Sequence, residues 1–151
     1  HSDRHYDIVI VDAYRPPYIP FQLTTVEFFR LVRDHLTPDG VVAINVARTE
    51  TDYTLVNAIA STLKAVYPSV YVIDTQSDLN SVVVAPRRPA DLGSVQARLD
   101  SLTDPVLRDV VSRAAGRIWE FVTPTRETLS DDRAPVEQIV HAVAARYLLG
   151  P

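Results

Sequence analysis

Tyr6 to Val11 reads YDIVIV, and the apolar run stops at Asp12 before breaking into Ala-Tyr-Arg-Pro-Pro. Ile8, Val9, Ile10 and Val11 are consecutive β-branched residues, so an extended segment here is apolar on both faces, as in a strand inside a parallel sheet. A parallel neighbour requires a long crossover, and the sequence supplies one. After prolines at 16, 17 and 20, Thr24-Thr25-Val26-Glu27 reads as a capping box, with Thr24 at the cap and Glu27 reaching back. Phe28, Phe29, Val32 and Leu36 then recur at helical spacing, and Thr37-Pro38-Asp39-Gly40 reads as the turn that ends the helix.

The pattern repeats. Val41 to Val46 is a second strand, and Thr51 or Asp52 caps a helix carrying Leu55, Val56, Ile59, Leu63 and Val66 and closed by Tyr67-Pro68. Val70 to Ile73 and Ser81 to Ala85 are further strands. The polar segment between them, 76–80, is too short for a crossover, so this pair is antiparallel. The reading is an α/β doubly wound sheet, mainly parallel, with an antiparallel strand near its edge. Beyond Pro86, helices are expected at Ala90–Leu102, Pro105–Ile118 and Pro135–Leu149, with a short extended piece at Trp119–Val122, all placed to cover the sheet. Residues 1–151 read as one partial domain: 6–86 carry the sheet and its crossover helices, and 87–151 a helical C-terminal region.

Composition narrows the chemistry. The 15 Lys and Arg are scattered and the net charge is −4, which gives no footprint for nucleic acid or an anionic membrane. Without cysteine there is no disulfide, thiolate metal site or cysteine nucleophile. The four histidines form no H-x-x-x-H pair, so no metal is expected. No apolar run reaches the roughly 20 residues of a membrane span, and no signal-peptide pattern opens the chain. The absence of methionine and the immediate start of the first strand suggest a piece of a longer protein.

Ligands of open parallel sheets bind at the carboxyl ends of the strands, and Asp12 stands at such an end. Its carboxylate suits a general base or the holder of a cation, although an aspartate here also serves to cap the loop around Tyr14 and Arg15. Tyr14 and Tyr18 read as pocket walls or as loop packing. Asn45, Arg48 and Thr49 end the second strand and border the same crevice or cap the next helix. Asp131 and Asp132, ahead of a helix opening on Pro135, read as helix-dipole partners or as further acids of the pocket. No glycine-rich phosphate loop and no G-x-S-x-G elbow occur.

Four stretches, YDIVIVDAY, PFQLTTVEFFRLVRDHLTPDGVVAINV, LNSVVVA and LSDDRAPVEQIV, resemble the C-terminal half of a class I S-adenosylmethionine-dependent transferase fold. Within it they look most like the spermidine synthase-like (polyamine aminopropyltransferase) family. The resemblance implies a Rossmann-like sheet and aminopropyl transfer from decarboxylated S-adenosylmethionine to a small amine or polyamine. Asp12 would be the catalytic base, and Tyr14, Arg15, Asp131 and Asp132 would shape the acceptor pocket. It also implies a cytoplasmic setting, in some members fused to membrane segments, and leaves a homo-oligomer open. The glycine-rich nucleotide loop belongs to the family's N-terminal half, which this chain lacks.

Two positions depart from the family. Arg15 stands where a second acid belongs, and Gln76, Ser77 and Asp78 replace a substrate-binding tyrosine. A fixed guanidinium repels a polyamine and suits an anionic acceptor, so methyl transfer from S-adenosylmethionine is the second reading. A non-catalytic domain that binds a nucleoside or polyamine, or only packs within a larger protein, is the third.

Overall fold

The computed structural model describes residues 3–13, 20–77, 79–124 and 127–149. The Ile/Val run forms β1 (Tyr6–Val11), and a short 3-10 turn at Phe21–Leu23 leads into α1 (Val26–Asp34) and β2 (Leu36–Ala47). Then follow α2 (Thr54–Lys64), β3 (Tyr71–Asp74), β4 (Asn80–Pro86), α3 (Leu92–Asp100), α4 (Pro105–Ala114), β5 (Ile118–Glu120) and α5 (Val136–Leu149).

The sheet has the order β1-β2-β4-β3-β5. β1 and β2 pair in parallel, whereas β4 runs antiparallel to both β2 and β3, and β5 antiparallel to β3. The α/β class and the antiparallel turn-back from β3 to β4 are as the sequence indicated. β4 fills the slot between β2 and β3, further in than an edge position, so β2 and β3 share a direction without touching. The short extended piece expected at Trp119–Val122 falls at β5, Ile118–Glu120, which adds a fifth strand beside β3.

Alternation along the strands sorts the two faces. Val42, Ile44, Val46, Val83, Ala85 and Val72 point to one face and are almost fully buried. α1 and α2 cover that face, supplying Phe29, Leu55, Ile59 and Leu63, and α5 packs on α2 rather than on the sheet. The opposite face is thinly covered. α3 and α4 contribute no buried residue, and Ile8 and Ile10 on β1 are 61% and 71% exposed. The C-terminal helices thus do not seal the sheet as the sequence reading expected, because neither helix brings an apolar stripe into close contact with the strands. Among the described residues no helix is long and apolar enough to cross a membrane.

Two local features differ from the sequence reading. The cap of α1 is Thr25, whose Oγ1 accepts the Phe28 N–H at 3.2 Å, not Thr24. The N–H of Thr24 is already bound to Phe21 O at 3.0 Å in the preceding turn, so Glu27 has no donor to reach back to. Glu27 instead accepts the Asp131 N–H at 3.1 Å. The second feature is Thr37-Pro38-Asp39-Gly40, which is strand and not turn: α1 stops at Asp34, and β2 opens at Leu36 opposite Tyr6. Pairing jumps from Tyr6–Leu36 to Ile8–Val41, so β2 bulges between them. Gly40 makes this possible, since a Cβ there would lie 2.9 Å from the Tyr6 carbonyl oxygen and 3.1 Å from the Thr37 nitrogen.

The N-cap of α2 is Tyr53 rather than Thr51 or Asp52; Asp52, one residue earlier, still satisfies an N–H of the first turn, accepting from Thr54 at 2.9 Å, and it also pairs with Arg146 of α5 at 2.6 Å. Partial burial raises its pKa, but the hydrogen bonds from Thr54 and the nearby Arg146 guanidinium outweigh this and leave it below the usual value. A lowered folded-state pKa gives stability that is present above the unfolded carboxylate range and is lost as pH falls through the folded value.

Gly40→Ala should therefore destabilise the fold by about 1–3 kcal/mol through overpacking against backbone, measured as a fall in the urea midpoint. An unchanged midpoint would show that the strands can move apart at no cost. Asp52→Ala should lose about 1 kcal/mol at neutral pH. The gap between wild type and variant should narrow on acidification, and a gap constant with pH would remove the ionised Asp52 carboxylate and the Arg146 pair as its source.

Candidate functional site

β1, β2 and β3 all point their carboxyl ends to one end of the sheet, and β4 begins there. Side chains from four strands and their loops therefore meet along one rim. Asp12 lies one residue past β1 and is exposed. Asn45 Nδ2 of β2 donates to Asp12 Oδ1 across 3.4 Å, a long contact. Asn45 is itself held, because its Oδ1 accepts from Asn80 Nδ2 at 2.6 Å. Asn80 Oδ1 in turn accepts from the hydroxyls of Thr75 at 2.7 Å and Ser77 at 2.8 Å. This chain fixes which end of each amide faces which neighbour: with its carbonyl taken by Asn80, Asn45 turns its NH₂ toward Asp12. The second carboxylate oxygen of Asp12 has no partner among the described residues.

A second cluster lies on the other face of the same rim. Arg48 is 5% exposed, and its Nε donates to Ser81 Oγ at 2.9 Å and stands 3.4 Å from Asp74 Oδ1. Ser81 donates to Asp74 at 2.6 Å, while Tyr53 Oη and Trp119 Nε1 donate to its other oxygen at 3.0 and 3.3 Å. The Arg48 guanidinium carbon also sits 4.9 Å from the centre of the Tyr53 ring. Asp74 thus ends a strand as Asp12 does, yet both of its oxygens are spent on protein partners. Arg48 takes neither of the roles read for it from the sequence, bordering the crevice or capping the next helix. It is buried in a structural clamp joining β2, β3, β4, β5 and the start of α2.

Asp131 and Asp132 are exposed in a turn closed by paired backbone bonds between Ser130 and Arg133. The Asp131 N–H bond to Glu27 seats that turn on the first turn of α1. A helix that crosses from β1 to β2 starts at the rim end, so these acids share an end of the molecule with Asp12. No hydrogen bond joins either of them to it among the described residues. Tyr14 and Arg15 lie outside the described residues, as does Tyr18. The sequence reading assigned no role to Asn80, Asp74, Ser81, Tyr53 or Trp119. One signal was present for Asp74: YVID, like IVIVD, is an apolar run that stops on an aspartate.

Asp74→Ala should cost about 3 kcal/mol or more of unfolding free energy, because it strands the buried Arg48 charge. A loss below about 1 kcal/mol would mean that Arg48 is solvated well enough without it.

No protein-family model matches the chain. In sequence it is 29% identical over 160 residues to a probable polyamine aminopropyl transferase of Bifidobacterium longum (strain NCC 2705), covering 94% of this chain and 36% of that protein. Among solved structures it is similar to human methyltransferase-like protein 13 in complex with SAH, with a TM-score of 0.57 and 24% identity over 70% of this chain and 50% of that one. It is also similar to a spermidine synthase in complex with the transition state analogue AdoDATO, with a TM-score of 0.52 and 16% identity over 74% and 40%. The chain spans half or less of the length of each of these. The resemblance read from the sequence motifs stands: the chain has the fold of part of a class I S-adenosylmethionine-dependent transferase and is similar in sequence to a probable polyamine aminopropyl transferase.

Proposed function

We propose that residues 1–151 form the C-terminal part of a transferase domain that moves an aminopropyl group from decarboxylated S-adenosylmethionine to a small amine. The observation that carries this reading is Asp12: an exposed carboxylate at the crevice end of the sheet, one oxygen steadied by Asn45 and the other open. The sequence similarity to a probable polyamine aminopropyl transferase supports it.

The donor, when bound, supplies a carbon made electrophilic by its sulfonium. The residues that would hold its nucleoside belong to the part of the fold that precedes β1. Asp12 draws the protonated amine by charge and accepts one of its protons, which frees the nitrogen lone pair to form the new C–N bond as the C–S bond breaks and the sulfur leaves as a neutral thioether. Asn45, held by Asn80, limits the rotation of the carboxylate and so keeps its open oxygen toward the acceptor. Tyr14 and Arg15, next along the chain, flank the acceptor, and the exposed pair Asp131 and Asp132 adds negative charge on the α1 side. Arg15 makes a compact amine a better fit than a long polyamine. Among the described residues no strand pairs with the outer edge of β1, which is consistent with a preceding half-sheet that docks there.

Methyl transfer is the second reading, favoured by Arg15 and by the likeness to a methyltransferase-like protein. Incubating the full-length protein with either donor and a panel of amines, then weighing the products, separates the two. Asp12→Asn should lower kcat/KM by about 10²–10⁴ with the circular dichroism unchanged. Turnover equal to wild type would remove Asp12 from the chemistry.

A further inference from the structure

Between the thinly covered face of the sheet and the α3–α4 pair lies a cavity of about 650 Å³. Val41, Ile73 and Val84 of the strands face Val95, Leu99 and Val110 of the helices across it. Its strand residues include Pro86 and Tyr71, at the ends of β4 and β3 away from Asp12, and Val41 of β2, which pairs with Pro86. The volume is far above the water-sized voids of a packed core and falls among the roughly 300–1,000 Å³ of small-molecule pockets. Polar groups are confined to the rim. The Tyr71 hydroxyl is turned aside to Ala90 O. Arg88 and Arg98 border the cavity with a single acid, Asp39, so the rim carries one net positive charge. Asp39 holds Arg88 at 2.7 Å, but the two side chains are 83% and 63% exposed, and so exposed a pair exchanges readily for another carboxylate.

We propose that this cavity binds an amphipathic anion, with an unbranched or compact apolar body between sheet and helices and a carboxylate held at the rim by Arg88 and Arg98. The site is separate from the crevice at Asp12 and does not depend on the transferase reading. Alkyl chains gain from leaving water for a lining that offers no hydrogen-bonding competitor, and guanidinium groups grip carboxylates with paired hydrogen bonds.

Isothermal titration calorimetry of the full chain with dodecanoate, kept below micelle formation, tests it. Saturable one-to-one binding is expected, with dodecyltrimethylammonium at least tenfold weaker. Arg88→Gln combined with Arg98→Gln, both at exposed positions, should weaken dodecanoate at least tenfold. Leu99→Trp, which fills the cavity, should abolish binding, and Asp12→Asn should leave it unchanged. Absence of saturable binding, equal affinity for the cationic detergent, or affinity undiminished in the double arginine variant would overturn the proposal.

Discussion

The connection between β3 and β4 is too short to carry a crossover, and most of what distinguishes this sheet follows from that. A chain leaving β3 with only residues 75–79 to spend must return antiparallel beside it. It enters the gap between β2 and β3, where β4 bonds to both neighbours and buries Ser81, Val83 and Ala85. Because β4 runs against the other two, its first residues lie at their carboxyl ends. Asn80 consequently meets Asn45, and Ser81 meets Arg48 and Asp74. A parallel β4 would have brought its last residues, Ala85 and Pro86, to the rim instead, and neither has a side chain able to hold an amide or a guanidinium.

The rim divides its polar groups by face. On the face covered by α1 and α2, where water is excluded, Arg48 is tolerated because Asp74 and Ser81 compensate its charge and hydrogen-bonding needs. On the thinly covered face, Asp12, Asn45 and Asn80 stay close to solvent, and their hydrogen bonds orient a carboxylate without using it up. The same alternation that separates core from surface along each strand thus separates a structural ion pair from an exposed carboxylate.

Much of the fold was legible in residue patterns. Every helix and strand of the first half follows from apolar spacing, and the Thr54–Lys64 helix begins later than a cap at Thr51 or Asp52 implies, with Asp52 still accepting the Thr54 N–H. Thr37 to Gly40 escaped because Pro, Asp and Gly together favour a turn wherever nothing outside the segment competes. Here the pairing of β2 with β1 and the N–H of Arg87 compete, the latter bonding to Gly40 O at 2.9 Å, and pairing on both sides draws the segment into the sheet. The cap of α1 moved by one residue for a similar reason, since the turn at Phe21–Leu23 had already taken the N–H of Thr24.

By itself the sequence determined that apolar runs become strands, that helices join them, and that two of the runs stop on aspartates, Asp12 and Asp74, where the strands leave the core. Each of those decisions is local, set by spacing within a dozen residues. Only the tertiary structure decided which aspartate remains free. Asp74 is surrounded by groups that come from residues 48, 53, 81 and 119, brought together by strand order and register. Asp12 ends the outermost strand, where the described residues offer one amide and an open side. Burial and the number of donors within reach separate the two carboxylates, and neither quantity exists until the sheet has formed.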